Sequence, residues 1–77
     1  MIAAARNVRF VTDELILELK DGREVSASMT DTPWLRFLRD ASDDARAHWT
    51  IEPHGFAVYW PDLDAGVEVC HLLAGTD

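Results

Sequence analysis

The sequence predicts a small α+β domain, with a mostly antiparallel sheet of about five strands and one main helix, over about 33–40, packed on one face. Three stretches carry that expectation. Glu14 to Met29 alternates apolar and polar residues on either side of Asp21-Gly22. Thr32-Pro33 opens an apolar run at helical spacing, and Trp49 to Trp60 reads as strand-turn-strand around Pro53-His54-Gly55. All 77 residues are taken as a single domain, near the lower size limit for folding on an apolar core alone.

The first of these stretches specifies its own register. Leu15, Leu17 and Leu19 share one face of the first arm, and Val25, Ala27 and Met29 one face of the second. A two-residue Asp21-Gly22 loop sets Leu19 opposite Glu24, apolar against polar. A three-residue loop, Lys20-Asp21-Gly22 with Gly22 left-handed in a bulge, pairs Leu17 with Val25 and Leu15 with Ala27. A slip of one residue turns a strand over, so burial selects the odd-length loop.

Ahead of the hairpin, Asn7 to Val11 reads as a strand with Val8 and Phe10 on one face, and Thr12-Asp13 as its turn. Behind it, Thr32 stands as N-cap and Pro33 at the first helical position, where a missing N–H costs nothing. Trp34, Leu35, Phe37 and Leu38 form the apolar stripe, with Arg36 and Arg39 nearer solvent and Arg39 close to the negative helix end. Ser42 caps a short second helix reaching about His48, with Asp43 and Asp44 in its first turn. Trp49 to Glu52 is a strand, Pro53-His54-Gly55 its turn, and Phe56 to Trp60 the returning strand. Pro61 to Gly66 is a breaker-rich loop, Val67 to Val69 a short edge strand, and Cys70 to Ala74 a closing helical turn ending at Gly75.

Composition narrows the function classes. The single Cys70 excludes an internal disulfide, and the apolar N-terminal run is too short for a signal peptide or membrane span, so a cytoplasmic protein is expected. The net charge is −7, unevenly spread. Residues 1–46 carry nine acids and all seven bases; residues 47–77 carry Glu52, Asp62, Asp64, Glu68 and Asp77 with no Lys or Arg. Such a surface repels nucleic-acid phosphates and anionic membranes, and suits a basic protein partner. Acidity also serves solubility alone.

The phrases Leu15-Ile-Leu-Glu-Leu-Lys-Asp-Gly-Arg23, Trp60-Pro-Asp-Leu-Asp64 and Leu72-Leu-Ala-Gly75 resemble the short bacterial proteins grouped as domain of unknown function 2442. The resemblance runs from about Val8 to Gly75, and Pro33, Leu35 and Trp49 also sit where such sequences carry similar residues. It implies a small sheet-and-helix domain with no assigned catalytic residue. Some relatives carry a helix-turn-helix DNA-reading domain after this module, and others are encoded beside a second small protein, as paired toxin–antitoxin genes are. With the chain stopping at Asp77, no DNA reader is expected. Tyr59 stands where the group commonly has histidine.

Candidate chemistry is thin. Asp62, Asp64, Gly66 and Glu68 alternate like the opening of a calcium loop, but Gly66 is fifth where the loop needs it sixth, and Leu73 takes the place of the closing glutamate. No metal is expected there; the acids fix a turn or form an acidic contact surface. His48, His54, His71 and Cys70 lack zinc-ligand spacing, and Cys70 and His71 on a strand point to opposite faces, leaving Cys70 as a small buried hydrophobe. No Gly-x-Ser-x-Gly and no phosphate loop occur, so no catalytic residue and no cofactor are expected. Trp34, Trp49, Tyr59 and Trp60 would stack single-stranded bases only beside a basic groove, which the C-terminal half lacks.

Tyr59 and Trp60 are strand neighbours, so one faces in and the other out; the outward ring beside Asp62 and Asp64 is the expected interface anchor. The expectation is a non-enzymatic acidic module, using Glu52, Asp62, Asp64 and Glu68 with Tyr59 or Trp60. It would bind and inhibit a basic, nucleic-acid-handling partner, as an antitoxin or a phage-encoded DNA-mimicking anti-CRISPR protein does. The alternatives are a small enzyme built on Cys70, a histidine or a carboxylate pair, and a nucleic-acid-binding regulator if Arg6, Arg9, Lys20 and Arg23 form one basic edge. Both a monomer and a homodimer through a free strand edge stay open.

Overall fold

The computed structural model describes residues 4–75. The first strand, β1 (Ala5–Val11), turns through Thr12-Asp13 into β2 (Glu14–Leu19), which returns as β3 (Glu24–Ser28). These three form an antiparallel sheet in chain order. Leu17 lies opposite Val25 and Leu15 opposite Ala27, the register that parity of burial requires. Gly22 takes φ +92°, and the Leu19 N–H donates to the Arg23 carbonyl at 2.8 Å, closing the three-residue loop. On the other side, Val8 faces Leu17 and Phe10 faces Leu15, so one apolar stripe crosses the sheet.

Asp13 ties the far end of this sheet to the next segment. Its carboxylate accepts from the Ser28 hydroxyl (3.3 Å) and the Thr30 N–H (3.2 Å). Its carbonyl accepts from the Met29 N–H at 2.8 Å. The chain then enters a 3-10 turn (Pro33–Leu35) running into α1 (Arg36–Arg39). Thr32 holds the N-cap position with extended backbone but makes no side-chain cap bond. Leu35 and Leu38, three apart, are buried, whereas Trp34 is 43% exposed. So short a helix supports only a narrow stripe, and Trp34 falls beside it, correcting the expected core role. Ser42 caps α2 (Asp43–Ala47) by accepting from the Ala45 N–H at 3.1 Å.

The C-terminal half builds a second sheet: β4 (Thr50–Ile51), β5 (Ala57–Trp60) and β6 (Ala65–Glu68), antiparallel in chain order. The fold is α+β as expected, but with two three-stranded sheets rather than one sheet of about five strands. Strand existence follows from local alternation; which strand edges meet is set by tertiary packing, and here no ladder joins β1–β3 to β4–β6. The two sheets share one core instead, in which Leu15, Leu17, Leu19, Val58, Trp60, Leu35, Leu38 and Leu72 are essentially inaccessible. The last element, α3 (Val69–Gly75), follows β6 without a loop, burying Val69 and Leu72. Among the described residues, no helix is long and apolar enough to cross a membrane.

Candidate interaction face

The second sheet sorts its side chains by alternation. Val58 and Trp60 of β5 and Val67 of β6 point into the core at 0, 0 and 2% exposure. The residues between them therefore point away. Thr50, Tyr59 and Gly66 lie in register across the three strands, and Ala57 lies opposite Glu68. Glu52 continues β4, its N–H donating to the Ala57 carbonyl at 2.9 Å. Glu52 and Glu68 thus flank Ala57 from either side, roughly 10 Å apart at two strand spacings.

Trp60 is the inward aromatic. Its indole N–H donates to the Arg46 carbonyl at 3.0 Å, and its ring meets Phe10 and Phe37 edge-on at 6.5 and 6.0 Å. A fully buried ring cannot anchor a partner, so the Trp60 alternative is removed and Tyr59 is the outward one. The Tyr59 hydroxyl donates to Asp64 Oδ1 at 2.7 Å. Asp64 accepts it from a left-handed conformation (φ 51°) that ends the 3-10 turn Pro61–Leu63. This bond to Asp64, with desolvation and the charges of Asp64 and Glu52, raises the phenol above its ordinary pKa. Asp62 lies on the same turn and pairs with His48 Nδ1 at 2.9 Å.

Four arginines of the N-terminal half have local acid partners. Arg9 reaches Glu18 (3.1 Å) and Glu24 (2.6 Å), Arg23 reaches Asp21 (2.6 Å), and Arg39 reaches Asp40 (3.0 Å). Arg46 approaches Asp43 (3.8 Å) and donates to the carbonyls of Leu38 and Arg39, each at 2.7 Å. Among the described residues, no Lys or Arg forms an ion pair with Glu52, Asp62, Asp64 or Glu68. Of the four residues of the envisaged basic edge, Arg9 and Arg23 carry acid partners. Asp77 lies outside the described residues.

The remaining candidates divide. His54 stacks on Phe56 at 5.7 Å, His71 meets Trp34 edge-on at 6.4 Å, and His48 belongs to Asp62, so the three histidines do not converge. Cys70 is exposed, correcting its expected burial: Val69 takes the inward position at the start of α3.

The sequence profile of a family described as protein of unknown function (DUF2442) matches residues 5–76. The chain belongs to the DUF2442 family. Its fold is also that of a crystal structure of a protein of unknown function from Rhodospirillum rubrum. That protein is 23% identical, with a TM-score of 0.79 over 97% of this chain and 89% of the other. No curated protein matches. In this DUF2442 chain each phrase behind the resemblance has a structural post. Leu15 to Arg23 is β2 and the loop that leads into β3, and Trp60 to Asp64 seats an indole in the core and then turns the chain. Leu72 closes the core from α3.

Proposed function

We propose that this chain is a non-enzymatic interaction module. Its second sheet binds a basic surface of a nucleic-acid-handling protein and blocks that surface, in the manner of a DNA mimic or an antitoxin. One observation carries the reading: Glu52, Glu68 and the Tyr59–Asp64 pair share an outward sheet face, and among the described residues no Lys or Arg forms an ion pair with these acids. Two carboxylates flanking the small Ala57 leave room for an arginine or lysine from a partner to lie between them and engage both. Tyr59 supplies a half-buried ring beside the charges, the combination of aromatic anchor and polar rim that interfaces use. Asp62, on the adjoining turn, extends the negative field that would steer a basic partner.

The test compares affinity capture from source-cell extract by wild type and by the Glu52→Lys, Glu68→Lys double variant. The expected result is a nucleic-acid-binding protein retained by wild type, released by salt, competed by DNA, and lost with the double variant. Capture that ignores both charge reversal and salt refutes the reading. Reversal of Asp62 alone should slow association with little effect on dissociation, as for a rim charge.

A further inference from the structure

We infer that Glu68, Cys70 and His71 form a binding site for a zinc-class divalent ion. Their donor atoms, one carboxylate oxygen, one sulfur and one ring nitrogen, all lie within 4.8 Å of one another, and all three residues are exposed. A tetrahedral ion with bonds of about 2.0–2.3 Å sets its ligand atoms roughly 3.5 Å apart. The side chains therefore need to close by about 1 Å, within the reach of exposed rotamers. The Cys70 thiol already approaches Glu68 Oε2 at 3.6 Å.

The backbone explains the convergence. On a continuing strand, Cys70 and His71 would diverge to opposite faces. Here β6 ends at Glu68 and α3 begins at Val69, so Glu68 leaves from the outer face of the sheet and Cys70 and His71 from the first helical turn. Val67, Val69 and Leu72, the neighbouring positions, are held in the core at 2, 1 and 1% exposure, and the Val69 N–H donates to the Phe56 carbonyl at 2.9 Å. Inward anchors thus fix the backbone before, between and after the three outward donors. Trp34 stands edge-on to the His71 ring, and with Gly66, His71 and Ala74 lines a groove of about 410 Å³. The donor set is selective, since a thiolate and an imidazole favour zinc over the oxygen-seeking magnesium and calcium. Three protein ligands leave a fourth position for water or an incoming donor. This site shares only Glu68 with the acidic face and does not rest on that reading.

Cobalt(II), the spectroscopic substitute for zinc, is titrated into the reduced full chain. The expected result is one ion per chain, a thiolate-to-cobalt charge-transfer band, and displacement by zinc. Cys70→Ser abolishes the band, while Glu68→Gln and His71→Ala each weaken zinc binding about tenfold or more. His48→Ala leaves binding unchanged. The three ligands are exposed, so the variants keep the metal-free melting temperature and loss of binding is not loss of fold. No charge-transfer band, zinc bound by Cys70→Ser as tightly as by wild type, or one ion per two chains overturns the site. Because Glu52→Lys leaves the three donors intact, it tests the acidic face without touching the ion.

Discussion

Two glycines with the same backbone requirement should respond very differently to alanine. Gly22 and Gly55 both sit at positive φ, +92° and +77°. At Gly22 an added Cβ meets nothing within 4 Å, so only the left-handed backbone is penalised, by about 1–2 kcal/mol. At Gly55 the same atom falls 2.8 Å from the Ala5 carbonyl oxygen, 2.9 Å from Ala4 Cβ and 3.1 Å from the Ala5 N. Two of those atoms are the backbone of β1 and cannot rotate away. Overpacking of that kind adds about 1–3 kcal/mol, bringing Gly55→Ala to roughly 2–5 kcal/mol. A chain of this length holds roughly 4–12 kcal/mol in total, so Gly55→Ala consumes a large fraction. Urea unfolding followed by tryptophan fluorescence measures both, and thermal melts should separate them by about 4–8 °C per kcal/mol. Asn, which tolerates the left-handed region, should recover much of the loss at Gly22 and little at Gly55. If Gly55→Ala costs no more than Gly22→Ala, the close approach of this turn to β1 is wrong, and with it the placement of Glu52, three residues earlier.

Two further outcomes concern ionisable groups. Hydrogen bonds from Thr30, its hydroxyl first and its backbone N–H with it, and from Ser28 hold Asp13 below the usual carboxylate range. A depressed folded pKa stabilises above the unfolded value near 4 and ceases to as pH falls through the folded one. The stability gap between wild type and Asp13→Asn should therefore be widest at neutral pH and close on acidification, read by denaturant titration at several pH values. A gap that widens in acid contradicts the assignment. Tyr59 is the single tyrosine, so absorbance reports it alone. Its phenol should titrate above the ordinary value of 10.0, and Asp64→Asn should bring it down more than Glu52→Gln does. A midpoint indifferent to Asp64 means the Tyr59–Asp64 bond does not form.

What the sequence discloses and what it withholds follow from where each constraint is local. The hairpin register is legible because only one loop parity buries Leu17 and Val25 together. The split into two sheets is not, because nothing in a strand's own residues names its neighbour. Gly66 shows the limit at the candidate face. It reads as a breaker and so places the last strand at Val67, yet it lies inside β6, where a Cβ would stand 2.8 Å from the Val58 carbonyl oxygen. The local signal and the tertiary requirement point oppositely, and the tertiary one prevails. That displacement conceals the register that sets Glu52 and Glu68 around Ala57. The charge grouping itself, a run without bases from Ala47 onward, is visible in composition. Cys70 and His71 do lie in the expected closing helix, but it begins one residue earlier, at Val69. Val67 and Val69 continue a strand's alternation, while Val69 and Leu72 already keep a helix's spacing, and that hides the exposure of Cys70.

The two sheets also supply an internal comparison that bears on why the second face is acidic. Each presents an outer surface of three antiparallel strands. On the first, Glu18 and Glu24 stand in register on neighbouring strands, and Arg9 from the third engages both. Like charges so placed repel, and the arginine offsets the repulsion. On the second, Glu52 and Glu68 flank Ala57, the phenol of Tyr59 is turned to Asp64, and among the described residues no Lys or Arg forms an ion pair with either glutamate. A need for solubility alone would be met by interspersed charges of both signs, as on the first sheet. The second face instead groups its acids, with Glu52 and Glu68 two strand spacings apart across Ala57, and omits the compensating group. A cation brought by a partner over Ala57 would complete there the arrangement that Arg9 completes within the chain, which is the physical content of the binding proposal.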